Sequence, residues 1–185
     1  MKQIKRGQQP KGKTMLRRAF LSAIALSFVA ACTSGATRAR IGPDGLPLPT
    51  IYRIGPEQAA AIPFRMLESI NTLRSARGAS PLQLDAQLNA AAATHSRDMA
   101  IQNRPWHFGS DGSSPLDRLR RVGYPGALVG EAISESYENE IQTLSVWMEN
   151  PDIRDVILDS SATRMGLAWL QEDGGKIWWT LVIAR

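Results

Sequence analysis

One cysteine and two histidines are all that these 185 residues supply for disulfide, thiol and imidazole chemistry. With Cys32 alone no disulfide forms within the chain, so burial and hydrogen bonding must hold the fold together. Imidazole chemistry is confined to His95 and His107. No Gly-x-Ser-x-Gly elbow is present, which leaves out the usual signature of a serine nucleophile. Acidic residues are missing from residues 1–32, which hold Lys2, Lys5, Arg6, Lys11, Lys13, Arg17 and Arg18. Taking those seven from the total of 22 leaves 15 basic against 17 acidic side chains in residues 33–185, a net charge of −2. The excess positive charge therefore belongs to the N-terminal segment, and the body lacks the electrostatic footprint of nucleic-acid binding.

That basic segment runs into an apolar stretch, Ala19–Ala31, of the length of a signal-peptide core. It is too short for an ordinary membrane-spanning helix. Met15 is an alternative start, since the residues that follow it already form a complete signal sequence. The stretch ends in Val29-Ala30-Ala31-Cys32, which resembles a bacterial lipobox, where cleavage precedes a cysteine that carries lipid. Residues 1–31 are thus expected to be a lipoprotein signal peptide, with Cys32 attaching the chain to a membrane surface. Thr33, in place of an aspartate, points to the outer membrane. The alternative is an ordinary signal peptide and a secreted or periplasmic protein. Residues 32–56 read as a tether, broken by Pro43, Pro47, Pro49 and Pro56 with glycines between them, and no helical or alternating period survives there.

The domain proper is expected over residues 57–185. Met66, Leu67, Ile70 and Leu73 recur at helical spacing, with Gly78 as a stop. An Ala-rich helix follows from about Asp85 to Gln102, its apolar face carrying Leu88, Ala91, Ala92, His95 and Met99. On that face His95 reads as a core histidine satisfied by a hydrogen bond, and Met66 and Met99 read as core filler. His107 differs, because Pro105 places it in a loop leaving that helix. The following Gly109–Pro115 stretch is a polar turn, not a phosphate loop, since no Lys-Ser/Thr pair follows it. Ser114, Pro115 and Asp117 form an N-terminal cap for a short helix that stops at Gly123. On that helix Arg118, Arg120 and Arg121 read as a solvated face, with one of them pairing to an acid. Glu131 opens an extended segment. A helix over Ser136–Asn150, with Ile141, Leu144, Trp147 and Met148 inward, precedes a further turn after Pro151. Two strands, Thr163–Leu170 and Lys176–Ala184, close the chain as a hairpin. Helices early and antiparallel strands late make an α+β order. His107 and Glu131, brought together, can bind a metal, move a proton or simply pair.

Several stretches, among them INTLRSARGASPLQLD, THSRDMA, HFGSDGSSPLDRLRRVGY, VGEAISES and IWWTLVIA, follow one another as in the CAP superfamily of cysteine-rich secretory, antigen 5 and pathogenesis-related proteins. The chain resembles the short bacterial (SCP-like) form of that family from about Phe64 to Arg185. The resemblance implies an α-β-α sandwich with a central antiparallel sheet. It also implies a cleft bearing two histidines and two glutamates, which in some members bind a divalent metal such as zinc. His107 matches the first histidine and Glu131 the glutamate of the family's Gly-Glu-Asn, although Ala132 replaces the asparagine. The second histidine is replaced by Ile153, which can neither ligate a metal nor carry a proton. Glu149 is the nearest candidate for the remaining glutamate.

Two assured ligands, His107 and Glu131, fall short of the three or four that zinc sites use. The expectation is a lipid-anchored, non-enzymatic CAP domain of the bacterial cell envelope. Its partners would be the membrane, through Cys32, and a lipid, a peptide or another envelope protein. The alternative is a peptidase-like hydrolase, metal-assisted or not, with His107 as general base and Glu131 orienting it.

Overall fold

Along the described chain the elements are α1 (Pro56–Ala76), β1 (Gln83–Leu84), α2 (Ala86–Gln102), α3 (Pro115–Arg121) and β2 (Leu128–Ser136), followed by α4 (Glu140–Glu149), α5 (Pro151–Leu158), β3 (Arg164–Gln171) and β4 (Ile177–Ala184). The computed structural model describes Gly45 and residues 51–185; the signal segment, Cys32 and most of the tether expected from the sequence lie outside the described residues. No described helix is long and apolar enough to cross a membrane.

The strands form one sheet in the order β1-β3-β4-β2. β3, β4 and β2 pair antiparallel, as a short-looped hairpin and its neighbour should, while β1 joins β3 in parallel. The sheet is therefore mixed at one edge. Two residues between Pro81 and Asp85 carry no periodicity, so sequence patterning does not separate β1 from a turn. All eight residues of β4 are buried. A strand covered on both faces needs a continuous apolar run, and Ile-Trp-Trp-Thr-Leu-Val-Ile-Ala is close to one.

Alternation along β3 and β4 sorts their side chains between two cores. Met165, Leu167, Ile177, Trp179, Leu181 and Ile183 meet Ile62, Met66 and Ile70 of α1, Leu144 and Trp147 of α4, and Ile157 of α5. On the other face Ala168, Val182 and Ala184 meet Leu88, Ala91 and Ala92 of α2 and Leu119 of α3. Helices thus cover both faces of the sheet, the α-β-α arrangement that the family resemblance implies. Small residues bring α2 close: a Cβ on Gly166 would lie 2.2 Å from the Leu88 carbonyl carbon. Each Leu, Ile or Val buried in this way contributes roughly 1.5–3 kcal/mol, and Trp147, Trp178 and Trp179, all at 1% exposure or less, bury larger areas still.

Two expectations need correction. Residues 136–139 are not helical: β2 runs to Ser136, and Asn139 caps α4 by accepting from the Ile141 and Gln142 amides, with Gln142 completing a capping box. Ile141 is 43% exposed instead of inward. The buried stripe of α4 is Glu140, Thr143, Leu144 and Trp147, with Glu140 tied to Arg65 of α1 at 2.6 Å. A partnered glutamate has displaced an isoleucine from the inner face.

Candidate functional site: a buried clasp behind a half-exposed histidine

On β2, Glu131 pairs with Val182, whose side chain belongs to the α2 face of the sheet. Its carboxylate therefore projects beneath α2 and α3, and its side chain is only 1% exposed. A charge in that position must be paired. Arg118, on α3, provides the partner. Its Nη2 donates to Glu131 Oε1 at 2.9 Å and Oε2 at 2.8 Å. The same nitrogen donates to the His107 carbonyl at 3.0 Å, and Nη1 donates to the Ser113 carbonyl at 3.1 Å. One guanidinium thus ties together a strand, a helix and the loop between α2 and α3.

That loop is set by its own chemistry. α2 ends on Asn103, whose left-handed backbone (φ 49°) suits asparagine. Trp106 is then fixed by an Nε1–H bond to Gln102 at 2.8 Å and by the Arg104 guanidinium stacked 3.9 Å from its ring. Its carbonyl lies 2.9 Å from His95 Nε2. Beyond His107 the chain folds back, with Asp98 accepting from the Ser110 amide and hydroxyl, both at 2.6 Å. A Cβ on Gly109 would come 2.5 Å from Ser113 Oγ, so any larger residue there would have to push aside the side chains that shape the turn. α3 then starts with the predicted capping box between Ser114 and Asp117.

His107 Nδ1 comes 2.9 Å from Glu131 Oε1. A carboxylate oxygen accepts, so the hydrogen-bond pattern assigns the proton to Nδ1 and leaves Nε2 free. The His107 side chain is 49% exposed, beside the half-exposed Phe108. It is a carboxylate-oriented imidazole with its second nitrogen open to a ligand or to solvent. No hydroxyl or thiol hydrogen-bonds to this histidine among the described residues.

His95 is the other histidine, and the structure places it behind the first. It is fully buried, as its position on the apolar face of α2 predicts. Because the Trp106 carbonyl accepts, His95 Nε2 carries the proton, and the 3.6 Å from Nε2 to Glu131 Oε1 is too long for a second hydrogen bond. Nδ1 is buried with no partner. Burial lowers the imidazole's pKa below the usual 6.5, outweighing the upward pull of Glu131.

Of the residues singled out from the sequence, His107 and Glu131 meet. Ile153 lies on α5, half-buried against the larger apolar cluster, and Glu149 is exposed at the end of α4. Arg118 is the residue that sequence reading missed. Taken as part of a solvated face, it is only 3% exposed, while Arg120 and Arg121 pair on the surface with Asp117 and Asp111. The signal was available: Pro115, Arg118, Leu119 and Val122 share one helical stripe, so Arg118 falls on the inward side.

The donors present do not fit a divalent metal. Both oxygens of Glu131 accept from Arg118, His107 Nδ1 is spent on Glu131, and His95 Nε2 is spent on Trp106. Among the described residues no three His, Cys, Asp or Glu side chains gather into a ligand set. Two imidazole nitrogens of the group have no partner, His107 Nε2, whose side chain is half-exposed, and His95 Nδ1, which is buried.

A sequence model of the cysteine-rich secretory protein (CAP) family matches residues 67–183. No curated protein sequence matches the chain. An extracellular protein containing an SCP domain from Bacillus anthracis is structurally similar, with TM-score 0.59 and 23% identity over 72% of this chain and 45% of that one. A cysteine-rich secretory protein from Staphylococcus aureus gives TM-score 0.57 and 18% identity over 77% and 44%. An outer surface protein from Borrelia burgdorferi gives TM-score 0.57 and 13% identity over 66% and 90%. The chain spans less than half of the first two proteins. At these identities the likeness is one of fold.

Proposed function

The chain belongs to the cysteine-rich secretory protein (CAP) family, and from that premise we propose that it is an exported, lipid-anchored binding module of the bacterial cell envelope. The observation that carries the binding role is the commitment of Glu131. With Arg118 on both carboxylate oxygens and His107 Nδ1 on one of them, the acid orients an imidazole; it does not gather a metal or activate water itself. What the site presents outward is His107 Nε2 beside Phe108, a hydrogen-bonding and apolar surface suited to a lipid or peptide segment. Support for export comes from the basic-then-apolar leader ending at Cys32, and from the structural likeness to an extracellular protein and an outer surface protein.

Anchoring is tested by labelling growing cells with a radioactive fatty acid. Label on the wild-type chain that vanishes in Cys32→Ser, with sedimentation in the outer-membrane fraction, is expected. An unlabelled, freely soluble chain would return the protein to the secreted class.

A second reading rests on one distance. His107 Nδ1 at 2.9 Å from a buried carboxylate is the arrangement of an oriented general base, and a peptidase-like hydrolase would use Nε2 to activate water. Turnover of a fluorogenic peptide library that disappears in His107→Ala would establish that reading in place of the binding one.

A further inference from the structure

We propose that Arg118 is the built-in counter-cation of the Glu131–His107 pair, so that the two are held in their hydrogen-bonded geometry without a divalent ion and zinc is excluded from between them. The inference does not depend on what the domain binds.

Its basis is the charge and donor inventory of the clasp. A carboxylate that is 1% exposed needs a positive partner, and in a metal-loaded cleft a dication would supply it. Here a guanidinium, with its side chain 4% exposed, sits at hydrogen-bonding distance from both oxygens. Arg118 is fixed in turn by the His107 and Ser113 carbonyls, so it cannot swing aside without freeing one buried and one part-buried acceptor. A dication entering between Glu131 and His107 would face that guanidinium at close range in a poorly solvated setting, where like charges repel strongly. It would also have to displace the Nδ1–H proton of His107, leaving Nε2 unused. Arginine suits the role better than lysine because its planar, always-charged group spans several acceptors at once. Arg118 is in this sense a positioning residue: it acts on His107 through Glu131 and through the His107 carbonyl.

The test is calorimetric titration of the purified full chain with zinc chloride, alongside Arg118→Met and His107→Ala. Wild type is expected to show no saturable binding at micromolar zinc. Arg118→Met removes the opposing charge, freeing Glu131 Oε2 and leaving Oε1 with His107 alone; it is expected to bind zinc at least about tenfold more tightly than wild type, on the scale by which outer-shell partners govern metal affinity. Micromolar wild-type binding lost in His107→Ala would overturn the proposal. So would a folded Arg118→Met that gains nothing. Should that variant fail to fold, nitrogen-15 NMR of the wild-type imidazoles decides instead. His107 is expected as the Nδ1–H tautomer, unchanged by a chelator or by equimolar zinc, and a spectrum that shifts with either contradicts the proposal.

Discussion

Two arginines are buried in this domain, and they are buried for different reasons. Arg74, at the end of α1, is fully inaccessible and touches no carboxylate oxygen. Its Nε donates to the Ser80 carbonyl, Nη1 to those of Ile157 and Asp159, and Nη2 to that of Ala162. It acts as a fixed cluster of donors that closes the segments around β1 and α5, where the loop before β1 and the end of α5 would otherwise leave carbonyls unpaired. Burial lowers its pKa, with the Asp159 charge opposing. Arg118 shares its donors between two carbonyls and a buried acid, and its Nε has no partner at all. A guanidinium with a backbone carbonyl on every nitrogen marks a structural part. Partial satisfaction around a charge that faces a half-exposed histidine marks a site.

The largest expected effect follows from breaking the first of these. Arg74→Met strands the four backbone acceptors, and chemical denaturation should show a loss of about 3–5 kcal/mol, since each buried group left unpaired costs about 1–3 kcal/mol and water recovers part of it. Arg74→Lys should recover only part of it, because one ammonium cannot reach carbonyls on three segments. A loss below about 1 kcal/mol would mean that water replaces the guanidinium and the two arginines are alike. Next comes Arg118→Met, which leaves the Glu131 carboxylate with the half-exposed His107 as its one hydrogen-bond partner; a smaller loss, about 2–4 kcal/mol, is expected by the same measurement.

A third prediction concerns pH. His95 has its folded pKa below the unfolded value of about 6.5, so the unfolded chain binds more protons between the two values. Stability should be flat above about pH 7 and fall as pH drops below 6.5, by no more than about 1.4 kcal/mol per pH unit for one proton. Denaturation midpoints between pH 5 and 8 should show this slope, and it should be reduced in His95→Gln. A slope of the opposite sign would place a charged His95 against Glu131. The smallest effect is expected at the surface: Arg120→Ala breaks an exposed pair with Asp117 and should change stability by less than about 0.5 kcal/mol.

Much of the site was readable beforehand, and the limits are physical. The capping box at Ser114, the core position of His95, and the strand and loop that carry Glu131 and His107 all follow from local rules, because each depends on residues a few positions apart. Arg118 was lost because charge was allowed to outvote periodicity. In a seven-residue helix the stripe of Pro115, Arg118, Leu119 and Val122 is short, and a burial cost that Glu131 repays from another element is invisible locally. The same held for Glu140, buried on α4 with Arg65 of α1, where Ile141 had the better apolar claim. The closeness of His95 to Glu131 belongs to the way α2 lies on the sheet at Gly166, a tertiary fact with no local signature.

The clasp itself is best tested by a double-mutant cycle on stability, using Arg118→Met, Glu131→Gln and the pair. If Arg118 and Glu131 neutralise each other in the buried site, the double variant should be more stable than the sum of the single losses implies, with a coupling of roughly 1.5–3 kcal/mol. Losses that simply add would mean that the two side chains are held independently, and that Glu131 orients His107 without Arg118.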